Sequence, residues 1–379
     1  MKILVAGDFA PKFRVAAKIE EGDYSCLEEI KPIIQEADYS IVNFESPVVM
    51  REAKPIEKTG PNLRCTERAM ECLAQAGFNC VTLANNHFRD YGQIGVEDTL
   101  AACNRYGIDH VGGGRNLEEA QWVLYKELVG QKLAIVNICE NEWSIAGTNQ
   151  GGSAPINLVW NYYTIQEARN QADYVLVIVH GGIEGYQYPT PRMVDTYRFF
   201  IDAGADVVVN HHQHCYSGYE DYKNKHIFYG LGNFCLDRKR KPYSAWNEGY
   251  IVMINIDNNK IEYNVIPCVQ CAEKPAVMLM NGSELRNFND EIKNLNDIIG
   301  SSVQLSIAYE KLLDRKRRQS LMMLEPLKNR LIHSLQWNHF FPMLNSYKQY
   351  YLLFNMMSCE SHREKMISIL RREIHFFNN

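Results

Sequence analysis

The sequence predicts a layered α/β domain followed by a helical appendage. Three observations carry this. Short Val- and Ile-rich runs alternate with helical stretches up to about residue 270, the pattern from which layered α/β domains are built. A hairpin signal closes that part. After about residue 280 the Val-rich runs stop and helical patterns take over. At 379 residues the chain exceeds the usual size of a single core. The reading is therefore a domain at 1–275 and a helical extension at 276–379.

In chain order, the strand candidates are Ile3–Ala6, Tyr39–Asn43, Cys80–Leu83, Leu133–Ile138, Val175–Val179 and Val207–Val209. Each is short and apolar on both faces, as buried strands of an α/β sheet are. Helices are expected between them. Thr66 to Gln75 carries Ala, Met, Cys and Leu at helical spacing. Val96 to Tyr106 and Met193 to Ala203 each run into a glycine, Gly107 and Gly204, suited to a C-cap. Lys225–Tyr229, Gly249–Ile256 and Lys260–Pro267 read as further strands, the last two joined by the turn signal Asp257-Asn258-Asn259. Glu284 to Asn296, Ile307 to Leu335 and Ser346 to Phe377 read as helices, with a break near Pro342.

Hydrophobic residues at 46% and charged residues at 22% exclude a disordered, collagen-like or coiled-coil chain. A net charge of -5 is too small for a whole-protein nucleic-acid binder. Residues 301–379 hold twelve Lys and Arg against six Asp and Glu, so this tail is +6 and the remainder -11. Such a tail reads either as a solvated helix face or as a contact for an acidic polymer, a membrane surface or a synthase complex. No apolar run approaches the roughly 20 residues of a spanning helix. The first apolar stretch ends at Asp8, short of the about 7–15 residues of a signal-peptide core, so the expected location is the cytoplasm. Eleven cysteines, odd in number and scattered from Cys26 to Cys359, fit reduced thiols there. Cys268-x-x-Cys271 has no second pair nearby to complete a zinc site.

The chemistry gathers at strand ends. Asp8 follows the first strand, Asn43 and Glu45 the second, and Asn85-Asn86-His87 the third. His180-Gly181-Gly182 and Asn210-His211-His212-Gln213-His214 follow two later ones. Open α/β sheets bind ligands outside the carboxyl ends of their strands. Taken singly, Asp8 reads equally as a helix cap, His180 as a core histidine and Asn85-Asn86 as a turn. Three histidines within four residues are the strongest single signal, and an extended His212-x-His214 would point both rings to one side. Carboxylates, imidazoles and an Asn carbonyl without cysteine suit Mn, Fe or Zn.

These blocks resemble the CapA family of capsule and poly-γ-glutamate synthesis proteins, which are similar to calcineurin-like metallophosphoesterases. The resemblance rests on Gly7-Asp8, Asn43-Phe44-Glu45, Leu83-Ala84-Asn85-Asn86-His87-x-x-Asp90-Tyr91-Gly92, Val179-His180-Gly181-Gly182-x-Glu184, Gly204 through His214 and Tyr229-Gly230-Leu231-Gly232-Asn233-Phe234. It covers residues 1–270. It implies a four-layer αββα metallophosphoesterase-like sandwich and a metal-dependent hydrolase acting on an anionic polymer or its precursor, with one or two divalent ions. It implies Asp8, Glu45, Asn86, His180, His212 and His214 as metal ligands, with Glu45 bridging. His87 would be the proton donor or oxyanion stabiliser, and Asp90 would orient it or cap the following helix. Three departures stand out: Ala10 where a His is usual, Glu45 for Asp, and Asn210 for Gly. They leave open two ions, one ion, or metal-free acid–base chemistry, and an accessory subunit with a degenerate site is the competing class. A nucleic-acid phosphodiesterase is disfavoured by the -11 core.

Glu184, Arg115 and Asn233 complete the site expectation as substrate-binding residues. Arg115 follows Gly112-Gly113-Gly114, which reads as a tight turn or a phosphate cradle. Tyr186 and Tyr188 lie beyond Glu184, either for stacking or simply exposed. Arg238-Lys239-Arg240-Lys241, before Trp246, reads as a polymer contact or a solvated loop.

Overall fold

The computed structural model describes residues 1–238, 242–257, 260–325, 329–359, 362–363, 365–367 and 369–370. Its strands are β1 (Lys2–Phe9), β2 (Tyr39–Phe44), β3 (Cys80–Thr82), β4 (Asp109–Val111), β5 (Gly113–Gly114), β6 (Leu124–Leu128), β7 (Gln131–Cys139), β8 (Gly152–Ser153), β9 (Tyr174–His180), β10 (Val207–His211), β11 (Tyr219–Tyr222), β12 (Lys225–Phe228), β13 (Asn233–Cys235), β14 (Glu248–Asp257), β15 (Lys260–Gln270) and β16 (Val277–Leu279). Its helices are α1 (Phe13–Glu20), α2 (Lys31–Glu36), α3 (Arg68–Ala76), α4 (Gly92–Tyr106), α5 (Leu117–Ala120), α6 (Leu158–Gln171), α7 (Pro191–Asp202), α8 (Gly282–Ile299), α9 (Ser302–Met323), α10 (Arg330–Trp337) and α11 (Tyr347–Ser358).

Two mixed sheets organise the first part. One runs β16-β15-β14-β1-β2-β3-β4, with β13 also pairing β1; the other runs β11-β12-β10-β9-β7-β6. Side chains alternate across each strand, so each sheet feeds two cores. Leu4 and Ala6 of β1 join a cluster with Val15, Ile34, Met70 and Val96 from α1 to α4. Ile3 and Val5 join a second cluster with Ile135, Leu176, Ile178 and Val209 of the other sheet. Val175, Val177 and Val179 of β9 face a third, with Ile165 of α6 and Phe200 of α7. Burial on both faces is why these strands are continuous apolar runs.

The expected hairpin is present: β14 and β15 pair antiparallel from Glu248↔Val269 to Asp257↔Lys260. Asn258 and Asn259 of its turn lie outside the described residues. Gly107 caps α4 in the left-handed conformation at φ 66°. Phe288, Ile292 and Leu295 of α8 enter the second cluster. The first compact unit therefore runs from Met1 to Ser306, beyond residue 275, and the second is Ile307–Asn379. The helix expected over 307–335 is two elements, α9 ending at Met323 and α10 starting at Arg330. Of the helix expected to Phe377, α11 is present and the described residues 362–363, 365–367 and 369–370 are helical; residues 371–379 lie outside the described set. Cysteines are free, and most are buried. No described helix is long and apolar enough to cross a membrane.

Candidate metal and acid–base centre

The parallel register aligns the reactive residues before any side-chain contact is considered. Asp8 of β1 is opposite both Asn43 of β2 and Asn233 of β13, across a register shift at that point. His180 of β9 is opposite His211 of β10 and Cys139 of β7. Gly7 permits the first alignment, because a Cβ there would lie 2.1 Å from the Gly232 carbonyl oxygen. The Gly7-Asp8 and Leu-Gly-Asn-Phe blocks are thus two halves of one close approach.

Glu45 follows β2, its backbone N–H donating to the Phe9 carbonyl at 3.0 Å. Its side chain is fully buried, and neither carboxylate oxygen has a hydrogen-bond partner among the described residues. Burial raises its pKa well above the ordinary value, helped by the negative charges of Asp8, Glu184, Asp90 and Glu142. Glu45 Oε1 lies 3.5 Å from His180 Nε2 and 3.9 Å from His214 Nε2. Two ligand-type groups share it: Glu45, His180 and His212, and Asp8, Glu45 and His214, the donor atoms of each within 4.8 Å.

Neighbouring polar groups orient this set. Asn43 Nδ2 donates to Asp8 Oδ1 at 2.7 Å and lies 3.2 Å from His180 Nδ1. His180 Nε2 is 3.2 Å from Asn86 Oδ1 and 3.0 Å from His212 Nδ1. The His212 backbone N–H donates to Asp8 Oδ2 at 3.3 Å. Burial and the neighbouring imidazoles push His180 well below its ordinary pKa and His212 down to about 3, so both rings are neutral donors at pH 7. The segment is not extended: His212 and His214 have φ of 92° and 56°, in the left-handed region. The rings converge through that strained backbone rather than through strand alternation. Asn233 Oδ1 lies 2.9 Å from His214 Nδ1, so Asn233 positions this ring.

His87 and Asp90 form a second, adjoining unit. His87 Nδ1 is 2.6 Å from Asp90 Oδ2. Asp90 does not cap α4, whose N-cap position is Tyr91 without a side-chain bond. Lys58 donates to Asp90 Oδ1 and lies 3.2 Å from His87 Nδ1; its side chain is 3% exposed. Burial lowers the His87 pKa, opposed by Asp90.

Sequence reasoning missed Lys58, Lys12 and Glu142. Glu142 Oε1 is 3.7 Å from His212 Nε2. Burial raises the Glu142 carboxyl against a hydrogen bond from Asn86. Burial also lowers the Lys12 ammonium, against the attraction of Glu45. All three lie in irregular segments with no periodic signal. Glu184 is exposed on the turn after Gly181-Gly182, and its charge acts on Glu45. Arg115 is not gathered with these groups: its guanidinium pairs with Glu119 at 3.5 Å, and Asn116 caps α5. Gly112 at φ 83° would place a Cβ 1.9 Å from Asn137 Oδ1, so the Gly-rich run serves close packing. Tyr186 is buried rather than an exposed loop aromatic. Lys239, Arg240 and Lys241 lie outside the described residues.

The three departures have structural counterparts. Ala10 packs in a small apolar cluster with Leu63, Leu236 and Trp246. Asn210 is structural: it accepts from the Tyr197 hydroxyl at 2.7 Å and donates to the carbonyls of Gly181 and Tyr229 at 2.9 and 3.0 Å. Glu45 holds the shared position described above.

Comparison with known proteins settles the family. The family model described as bacterial capsule synthesis protein PGA_cap matches residues 2–238. The chain belongs to this family. It is similar to the capsule biosynthesis protein CapA of Bacillus anthracis, 31% identical over 250 residues, 64% of this chain and 60% of that one. It is also similar to the PGA biosynthesis protein CapA of Bacillus subtilis, 32% identical over 222 residues, 58% of each. A probable polyglutamine synthesis accessory protein of Mycobacterium tuberculosis is 27% identical over 178 residues, 41% of this chain and 44% of that one. The chain thus spans about 60% of the length of the two CapA relatives. A crystal structure of a hypothetical protein from Thermus thermophilus aligns with a TM-score of 0.45 at 13% identity, over 70% of this chain and 99% of that one.

Proposed function

We propose that this PGA_cap member is a metal-dependent hydrolase in capsule or poly-γ-glutamate biosynthesis, built on a four-layer αββα metallophosphoesterase-like sandwich. One observation carries the proposal. Glu45 is a fully buried carboxylate, neither oxygen hydrogen-bonded among the described residues, shared by two convergent ligand groups. A buried carboxylate without a cation is costly, so such an arrangement suits a divalent ion. The donor set, carboxylates and imidazoles without thiolate, suits Mn, Fe or Zn. Glu45, His180 and His212, with the Asn86 carbonyl beside them, would hold one ion; Asp8, Glu45 and His214 would hold a second.

When bound, such an ion supplies Lewis acidity toward a substrate oxygen. The remaining work belongs to the chain. Asp90 fixes the His87 ring through Nδ1, leaving Nε2 to carry a proton to the leaving group. Lys58 holds Asp90 and screens it, so His87 does not face a bare carboxylate. Asn43 and Asn233 fix the His180 and His214 rings. The exposed Glu142 and Glu184 border the centre and select which substrates approach. A phosphoester or a related acyl or glycosyl linkage of an anionic polymer precursor is the substrate class.

The second reading is an accessory subunit of a synthesis or export complex. Ala10 favours it, because Leu63, Leu236 and Trp246 surround the position where a further ligand is usual. Elemental analysis followed by hydrolysis of aryl phosphate mono- and diesters with added Mn separates the two. Stoichiometric metal with turnover supports the hydrolase; neither metal nor turnover supports the accessory role.

A further inference from the structure

The second unit, Ile307–Asn379, buries polar groups and leaves large apolar ones exposed. One of its buried groups is a carboxylate. Glu325 is buried and accepts from Gln336 Nε2 at 3.1 Å, from the Leu344 backbone at 2.6 Å and from the Tyr350 hydroxyl at 3.5 Å. These bonds tie the end of α9, α10 and α11 together. Leu312 and Met322 are buried, but several large apolar side chains of α10, α11 and the segment between them point outward. Phe340 and Tyr347 are 81% exposed, Phe354 is 70% exposed and Tyr351 68%, with Leu331 and Trp337 also exposed. Tyr347, Tyr351 and Phe354 are spaced i, i+4, i+7 and form one stripe of α11. Exposed apolar surface on this scale marks a contact face.

Charge selects what that face meets. The unit carries twelve Lys and Arg against six Asp and Glu, and Arg330, Lys348, Arg363 and Lys365 are exposed. A second copy would bring two positive faces together. A purely electrostatic polymer contact would leave the Leu and aromatic side chains unused. A surface that is both apolar at shallow depth and negative satisfies both features, with Tyr and Trp rings at the headgroup level. We propose that Ile307–Asn379 is a peripheral membrane-binding unit that seats the α11 aromatic stripe in the interface of an anionic bilayer. This does not depend on the hydrolase reading.

The test is flotation of the full chain with vesicles of phosphatidylcholine alone or with 30% phosphatidylglycerol. The proposal expects at least about tenfold stronger partitioning to the anionic vesicles, weakened in 0.5 M NaCl. The double substitution Tyr347→Asp, Tyr351→Asp lies away from the Glu325 hub, so circular dichroism should be unchanged while vesicle binding is lost. Three results overturn the proposal: no binding to either vesicle; binding that the double substitution leaves intact; or, by sedimentation, self-association of the parent that the substitution abolishes, which would assign the stripe to a second copy.

Discussion

Replacing Glu45 by Gln should make the metal-free protein more stable and blind to metal. In the metal-free chain the Glu45 carboxyl has two poor choices. It can ionise in a buried site facing Asp8, Asp90, Glu142 and Glu184, or take up a proton at neutral pH. An amide of nearly the same shape faces neither choice, though its own polar atoms remain poorly paired. The net gain is about 1–3 kcal/mol, the usual cost of a buried polar group without partners. At about 2.1 cal/mol/K per residue of unfolding entropy, 1 kcal/mol in a unit of this size moves Tm by about 1.5 °C. The expected gain in Tm is therefore about 2–5 °C in EDTA at pH 8.

The sign reverses with metal. At a free ion concentration of 100 times Kd, binding stabilises the parent by about 2.7 kcal/mol, or about 4 °C, and the variant gains none of it. The pH dependence follows from the raised pKa. Below the ordinary value of 4.5 the carboxyl is protonated in both folded and unfolded chains, so parent and variant melt alike. As pH rises through the folded-state pKa the parent loses stability that the variant keeps, and the gap opens. Scanning calorimetry of both proteins from pH 4 to 8, with EDTA and then with Mn or Zn, reads every term. A variant that melts below the parent in EDTA at pH 8, or that metal stabilises as much as the parent, would refute the reasoning.

Four further outcomes follow from the same geometry. His212→Ala should remove the ion held with Glu45 and His180 while sparing the group with Asp8 and His214; elemental analysis should show one ion fewer in a folded protein. Metal binding should release protons from Glu45, more as pH falls, and none from His180 and His212, which are already neutral at pH 7; calorimetry in buffers of different ionisation enthalpy measures it. Asp90→Asn leaves the buried Lys58 ammonium without its carboxylate and should cost about 3–5 kcal/mol in urea unfolding, with Lys58→Met restoring part of it in the double variant. His87→Asn should keep the metal and the fold but lower turnover on any substrate found by about 10²–10⁴-fold; equal turnover would remove His87 as proton donor.

What could be read from the sequence divides along a physical line. β1, β2, β9 and β10 were legible because burial on both faces demands continuous Val and Ile. β6 and β11 lie at the edges of their sheet and carry partly exposed, mixed side chains, so neither period stands out. α6 was missed because Leu158, Val159, Trp160 and Tyr163 face outward and blur its amphipathic stripe. The strand-end residues of the site were legible because topology alone brings carboxyl ends to one edge. Lys58 was not, since it reaches Asp90 across 32 residues from a loop whose course only the tertiary fold sets. Ala10 belongs to both sides of the line. The sequence places an alanine where the metallophosphoesterase resemblance expects a ligand, but does not show what fills the space. Leu63, Leu236 and Trp246 occupy that neighbourhood, and the Trp246 ring centre lies 4.7 Å from that of His214. A histidine placed at position 10 would meet these side chains, so Ala10→His alone should not add a fourth donor. An ion in the proposed Asp8–Glu45–His214 group would have three protein donors beside an aromatic wall, weaker ligation than a four-donor site would give. The Glu45–His180–His212 group, with Asn86 beside it and no comparable replacement, is the one that should fill first as metal is titrated in.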